Sequence, residues 1–329
     1  MSLPEFQLHR PKTLAEAVSL LARDNHKTQA IAGGTDLIPS MRQRLFAPSE
    51  LVDLRGVAEL RGIRQSADGL EIGALTPLAE IERNEIIRRD FPVLAEAAHA
   101  VASPVLRNMG TIGGNICLDT RCLWYNQSLA WRKSCGFCIK KDGDLCHVAP
   151  GGTECWATFS GDTPPALLVL GAEIEISGRD GARRIPLADF YTNQGDARMK
   201  LGSGEIVTRV FLPRGASGWR GAYRKLRVRG SIDYPLAGVA VALRMHDVVV
   251  KDARVAITAV NPAPLLVLGI EAQLKGKTLT EELAETAGAL AASTARPLTT
   301  SSLTPEYRRE MVRVMIKRAL VKLAGSAPR

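Results

Sequence analysis

The chain has 329 residues, 46% hydrophobic and 23% charged, with a mean hydropathy of −0.01 and a formal net charge of +9. That is the profile of a folded globular protein of two or three structural units, too apolar for disorder, and no apolar run approaches the roughly 18 residues that a membrane span needs. Basic residues never exceed two in a row and only 5% of residues are aromatic, so nucleic acid is not the expected partner. The N-terminal stretch MSLPEFQLHRPK lacks the apolar core of a signal peptide, which makes the cytoplasm the expected location and reduced thiols the expected state.

Thr13 and Glu16 stand three apart as a capping box, and Leu14, Ala17, Val18 and Leu21 recur at helical spacing, predicting the first helix. A short apolar strand, TQAIAGG, runs into Gly33 and Gly34, with a second helix expected after Thr35 or Asp36. Strands are expected around ELVDL and GLEIGA, then a helix entered through Thr76 and Pro77 and another from Pro92 to about Ala102. SPVLRNMGTIGGNI reads as an irregular loop, and after a cysteine-rich window PPALLVLGAEIEISG and GEIVTRVFLP read as strands. PRGASGWRG, near 212–221, is a candidate linker and the expected domain boundary. Beyond it, strands are expected at GVAVALRM and VVVKDARVAITAV and a helix from Glu281 to Ser293. A last helix from Pro305 would place Tyr307, Met311, Val314, Met315, Ala319 and Leu323 on one apolar face.

Two glycine turns carry the first functional signal. AIAGGTDL and MGTIGGNI each end a Gly-Gly pair in a small polar residue. Glycine lets main-chain N–H groups approach a ligand with no side chain in the way, so two such turns converging on one point would suit a diphosphate. Taken singly, a Gly-Gly pair is more often a plain tight turn. Neither turn matches G-x-G-x-x-G or the Walker pattern, which argues against a Rossmann or P-loop site.

The second signal is thiol. All six cysteines, Cys117, Cys122, Cys135, Cys138, Cys146 and Cys155, lie between Gly113 and Phe159. A disulfide framework belongs to secreted and smaller chains, so ligation of a metal or cluster is the leading reading. Four thiolates suit zinc or a 4Fe-4S cluster, and the spacing, with one C-x-x-C pair at Cys135 and Cys138, does not decide between them. Trp124, Trp131 and Trp156 share the window and would either exclude water from a centre or form the segment's own core.

The ordered motifs AGGTDLIP, RNMGTIGGNI, GDTPPALLVLGAEIEI and YRKLRVRGSIDYPLAGVAVA cover nearly the whole chain. Together they resemble the FAD-binding subunits of the xanthine oxidase or molybdenum hydroxylase family. The resemblance implies an α+β fold: a PCMH or vanillyl-alcohol-oxidase-type FAD-binding domain of two lobes over 1–215, then a smaller C-terminal α/β domain over 216–329. It implies that Ala32, Gly33, Gly34, Thr35 and Asp36, with Thr111, Ile112, Gly113, Gly114 and Asn115, hold the FAD diphosphate. It also implies a flavin contact at Asp162 and a basic residue, Lys225, beside the isoalloxazine ring. A cation there would stabilise the anionic reduced flavin; without the resemblance, Lys225 is equally a surface cation of the run Arg224 to Arg229.

Asn115 and Asp162, close neighbours in ordinary members of the family, are 47 positions apart here, which implies an insert at about 117–158. An electron-transfer centre beside a flavin has an evident use, whereas structural zinc has only a folding one, and this favours iron–sulfur. The insert is similar to that of flavin subunits in the 4-hydroxybenzoyl-CoA reductase branch of the family. By that similarity Cys122, Cys138, Cys146 and Cys155 hold a 4Fe-4S cluster, and Cys117 and Cys135 stay free with Cys135 as substitute ligand; His147, beside Cys146, is expected as a solvated loop residue rather than a ligand. The expected role is electron transfer from ferredoxin through 4Fe-4S and FAD to a small subunit with two 2Fe-2S clusters and a large molybdenum-cofactor subunit. That last subunit would dehydroxylate 4-hydroxybenzoyl-CoA to benzoyl-CoA, leaving no substrate catalysis to this chain. The alternative is the FAD subunit of another molybdenum hydroxylase with a structural zinc insert.

Overall fold

The computed structural model describes residues 2–23 and 27–325. The chain opens on a parallel three-stranded sheet of β1 (Gln7–His9), β2 (Thr28–Ile31) and β3 (Glu50–Asp53), in the order β1-β3-β2. The helix Leu14–Leu21 connects the first two strands and buries Ala17, Val18, Leu20 and Leu21 against Val52, Leu54, Leu75 and Ile206. Its Thr13 hydroxyl accepts the Glu16 N–H at 3.2 Å, but the Glu16 carboxylate accepts from Lys12 N–H, so half of the expected capping box forms.

A five-stranded antiparallel sheet follows, built from β4 (Ile63–Ser66), β5 (Gly69–Gly73), β6 (Glu173–Gly178), β7 (Gly181–Pro186) and β8 (Ile206–Pro213) in the order β4-β5-β8-β6-β7. A four-stranded antiparallel sheet closes the chain: β9 (Arg220–Leu226), β10 (Ala237–His246), β11 (Val249–Thr258) and β12 (Leu265–Leu266), in the order β12-β11-β10-β9. One face of β10 turns Val239, Val241 and Leu243 to the helices Glu281–Thr294 and Pro305–Ala324. The other turns Ala240 and Ala242 into a core shared with Leu94, Leu167, Ile174 and Val210 of the preceding chain. Both faces are buried, which is why GVAVALRM reads as an unbroken apolar run. The join between β8 and β9 lies against the same core, with Ala216 and Trp219 buried in it.

Two stretches differ from expectation. PPALLV is a helix, Thr163–Val169, and all seven of its residues are buried. Its prolines stand in the first turn, where a missing N–H costs nothing, and a helix buried all round has no polar face to reveal its period. SPVLRNMGTIGGNI is not an irregular loop throughout: Ser103 and Thr111 cap the short helices Pro104–Arg107 and Ile112–Ile116.

The last helix also turns a different face inward. Val312, Met315, Ile316, Ala319, Leu320 and Leu323 are buried, Met311 and Val314 are half-buried, and Tyr307 is 47% exposed. The stripe begins at Arg308, which is fully buried and donates to the carbonyls of Leu236 (2.8 Å), Leu298 (2.9 Å) and Ala259 (2.6 Å). With no carboxylate beside it, burial pulls its pKa down to about 10. Among the described residues no helix is long and apolar enough to cross a membrane. Ile316→Ala is expected to cost about 2–5 kcal/mol in denaturant unfolding and Tyr307→Ala about 1 kcal/mol or less; equal losses would place the buried face wrongly.

Candidate functional site

A groove of about 840 Å³ runs between the turn after β2, the segment Leu106–Asn115, the segment Leu201–Val207 and the loop Arg229–Tyr234. Ala32, Gly33, Gly34, Thr35, Asp36, Thr111, Gly113, Gly114, Asn115 and Asp162 all line it. A Cβ on Gly33 would overlap the Met109 carbonyl oxygen, so the two glycine turns meet main chain against main chain. Gly34 has a φ of +71°, open to glycine at no steric cost. The first turn leads into the six-residue helix Leu37–Arg42, whereas the second Gly-Gly pair lies inside the five-residue helix Ile112–Ile116 rather than in a turn before it; neither helix is long enough for a strong dipole.

Ile112 does not line the groove. It is fully buried in the main core and anchors the second turn from behind. The Thr111 hydroxyl caps the turn by accepting Gly114 N–H at 3.1 Å, and Asn115 Oδ1 accepts both the N–H (2.9 Å) and the hydroxyl (2.7 Å) of Thr163. The turn is thereby tied to the helix that follows Asp162. Asp36, a carboxylate beside an expected anion site, accepts from Arg121 Nη2 (2.6 Å) and from the Tyr234 hydroxyl (2.6 Å). Arg121, Arg198, Arg229 and Tyr234 all line the groove, and sequence reasoning singled out none of them for this site.

Lys225 is neither a surface cation nor part of the groove wall. Tyr223 and Lys225 stand two apart on β9 and so share a face. The Tyr223 hydroxyl donates to Asp162 Oδ1 (2.7 Å), and Lys225 Nζ donates to Asp162 Oδ2 (3.0 Å) and to the Ala100 carbonyl (2.9 Å). Both members of the pair are 4% exposed. Burial pushes the Asp162 carboxyl upward, against the opposing pull of Lys225 and Tyr223. Of the two, only Asp162 lines the groove; Lys225 acts on it through that carboxylate.

The insert is closed at its neck, where Arg121 and Thr158 exchange backbone hydrogen bonds of 2.8 and 2.7 Å. Inside it, Cys122, Cys138, Cys146 and Cys155 are all buried and line one small cavity of about 20 Å³, with Trp124, Tyr125 and Trp156. Cys135 is half-buried at the end of the helix Leu129–Ser134, and Cys117 lines the large groove instead. Burial pushes the Cys117 and Cys155 thiols up to about 11. Burial also raises Cys122, opposed by the N–H groups of Trp124 and Tyr125, and the N–H of Ala157 reaches Cys155 Sγ at 3.5 Å. All four line the one cavity, yet among the described residues no group of three or more His, Cys, Asp or Glu is set to hold a metal ion.

His147 is not a solvated loop residue: its ring stacks on Trp124 at 4.4 Å and its Nε2 donates to the Phe137 carbonyl at 2.5 Å. Trp131 packs on the outer side of Trp124, 37% exposed and off the cavity. The groove and the thiol cavity share a wall. Arg121 and Asn126 face the groove, while their chain neighbours Cys122 and Tyr125 face the cavity. Lys225→Met would leave Asp162 buried with one partner, an expected loss of about 3–5 kcal/mol. The pair Lys225→Met with Asp162→Asn should recover most of that loss in the same unfolding measurement, and failure to recover would mean that the charges are not what the site depends on.

The family described as "FAD binding domain in molybdopterin dehydrogenase" matches residues 4–215, and that described as "CO dehydrogenase flavoprotein C-terminal domain" matches 221–323. The chain is 32% identical over 322 residues to the carbon monoxide dehydrogenase medium chain of Afipia carboxidovorans, which spans 98% of both chains. It is 34% identical over 278 residues to the aldehyde oxidoreductase FAD-binding subunit of Escherichia coli, spanning 82% of this chain and 86% of that one. Among solved structures it is similar to the Cu,Mo-CO dehydrogenase in its cyanide-inactivated form, with a TM-score of 0.81 and 30% identity over 99% of this chain and 100% of the other. It is also similar to quinoline 2-oxidoreductase from Pseudomonas putida 86, with a TM-score of 0.78 and 27% identity over 98% of each. The chain thus belongs to the FAD-binding medium subunits of the molybdenum hydroxylase family.

Proposed function

We propose that this chain is the flavin and iron–sulfur subunit of a molybdenum-containing 4-hydroxybenzoyl-CoA reductase. It would pass electrons from reduced ferredoxin toward a small subunit with 2Fe-2S clusters and a large molybdenum-cofactor subunit, where 4-hydroxybenzoyl-CoA loses its phenolic hydroxyl. The observation that carries this reading is the set of four buried thiols around one cavity, separated from the flavin groove by a shared wall. Medium chains among its relatives, such as those of the carbon monoxide dehydrogenases, support a place between a larger and a smaller partner. The two family matches, ending at 215 and resuming at 221, support a flavin-binding unit over 1–215 and a second unit over 216–329.

Bound in the groove, FAD supplies the means to join one-electron transfers to a two-electron reduction. The chain's own residues do the rest. The turns Ala32–Asp36 and Thr111–Asn115 bring glycine backbone with no side chain in the way up to the diphosphate, the second held rigid because the N–H groups of Ile112, Gly113, Gly114 and Asn115 are spent on Thr76, Ala74 and Thr111; Arg121 and Tyr234 hold Asp36, and Asp162 contacts the flavin with Lys225 behind it. Cys122, Cys138, Cys146 and Cys155 hold the cluster. A set of four cysteine donors suits a cubane, which takes one thiolate per iron, while the N–H groups at Cys122 and Cys155 favour thiolates and Trp124 and Trp156 line the cavity with apolar surface. A second reading has one observation in its favour: a free space of about 20 Å³ is room for a single ion, as in a structural zinc insert of another molybdenum hydroxylase.

Purification without oxygen, with FAD, iron and zinc measured per chain, separates the two. About four irons and one FAD are expected; one zinc without iron would overturn the cluster. Serine at Cys122, Cys138, Cys146 or Cys155 should lower the iron content, whereas Cys117→Ser and Cys135→Ser should leave it unchanged. Gly33→Ala, by forcing the two turns apart, should weaken FAD binding at least about tenfold, roughly 1.4 kcal/mol, in fluorescence titration of the apoprotein. Reduced ferredoxin should reduce the flavin faster than NADH does, and the reverse order would remove ferredoxin as donor.

A further inference from the structure

The wall between groove and cavity contains a buried cation that neither the flavin contacts nor the thiol ligands employ. Lys140 lies in the chain between Cys138 and Cys146 and is, among the described residues, the one Lys, Arg, Asp or Glu that lines the thiol cavity. Its side chain is 6% exposed. Nζ donates to Asp119 Oδ1 (3.1 Å), Thr120 Oγ1 (2.7 Å) and the Gly195 carbonyl (2.7 Å), and it lies 4.9 Å from the centre of the Tyr125 ring. Three oxygens from two separate segments thus fix one ammonium in place. Asp119, on the far side, lines the flavin groove, and its second oxygen, Oδ2, is buried with no hydrogen-bond partner.

Burying a lysine is costly unless its charge is compensated, and the fold could have tied the insert down with an apolar side chain. A centre held by four thiolates in apolar surroundings carries net negative charge and becomes more negative on reduction. A fixed positive charge at its edge favours the reduced form, the more so in a poorly screened interior.

We infer that Lys140, held by Asp119, Thr120 and Gly195, is the counter-cation of the four-thiol centre and raises its reduction potential, while the Lys140–Asp119 pair links that centre electrostatically to the flavin groove. This rests on the reading of the cavity as an iron–sulfur site. Lys140 is a positioning residue in this scheme: it places charge and ligates nothing.

The test is a redox titration of the full-length chain, purified without oxygen, followed by electron paramagnetic resonance, with iron and FAD counted in the same samples. Lys140→Gln keeps an amide donor for Asp119 but no charge; its iron and FAD content should match the unsubstituted chain while the midpoint potential of the centre shifts downward. Lys140→Arg, which keeps the charge, should stay near the original potential. If Lys140→Gln does not fold, the pair Lys140→Met with Asp119→Asn removes the carboxylate too, which would otherwise keep only Arg198, at 3.4 Å, as its ion-pair partner. It should show a smaller downward shift, because the nearer of the two charges dominates. Full iron content with an unchanged potential in the neutral variants would overturn the inference and leave Lys140 a structural tie. An iron-free unsubstituted chain would instead overturn the cluster reading, and the inference with it, a failure the iron count identifies by itself.

Discussion

The contact on which the groove depends is the approach of Gly33 to the carbonyl of Met109. One turn leaves the parallel sheet at the end of β2, and the other is pinned from behind by Ile112 in the core and by Gly113, whose missing Cβ makes room for Ala74. A side chain at Gly33 would separate them, and the two glycine segments would no longer wall one space. Asp36 then gathers three distant segments, because its carboxylate accepts from Arg121 and Tyr234 as well as ending its own turn. Such a pair is costly to desolvate, and it is retained where its hydrogen bonds are met and its geometry fixes register.

The insert shows how a segment of this length is accommodated. Closing a longer loop adds little entropy cost, because the penalty grows only with the logarithm of length. Holding the loop in one shape is the harder task. Its own apolar cluster is small, and it borrows Leu45 and Phe46 from the host chain. Arg132 donates to the Arg44 carbonyl at 2.8 Å, Leu123 N–H to the Thr300 carbonyl at 2.8 Å, and Lys140 to Asp119. Cys122, Cys138 and Cys155 are themselves part of that small cluster, and bridging the four thiols would add to it, since metal binding then contributes folding free energy.

Much of this was legible in the sequence, and the omissions have physical causes. The glycine turns and the four cavity cysteines are local patterns, and they line the groove and the cavity as expected. The helix Thr163–Val169 was hidden because burial on every side erases its period. The face of the last helix was displaced because Arg308 counts as polar, yet it satisfies three carbonyls in the core and opens the buried stripe. Arg121, Arg198 and Tyr234 carry no local signal at all. Their place is set by tertiary pairing with Asp36 and with the carbonyls of Cys117 and Leu118, and a single sequence does not display such pairing. Lys225 was singled out by the resemblance, but its basic neighbours left a surface position equally open, and its burial on Asp162 rules out that alternative.

Two lysine–aspartate pairs flank the groove in the same sense. Asp162 and Asp119 line it, and Lys225 and Lys140 stand behind them, each side chain nearly inaccessible to water. Each pair is neutral as a whole, so the groove gains a fixed acceptor without the net negative charge that would repel a diphosphate. Arg121, which pairs with Asp36, stands close enough to act on Asp119 as well, and Arg198 Nη1 lies 3.4 Å from Asp119 Oδ1. The second pair extends through the wall: the carboxylate that faces the groove at Asp119 is held by the one lysine that faces the thiols. A change of charge on either side of that wall must act on the same ion pair, so the groove and the cavity are joined by electrostatics as well as by proximity.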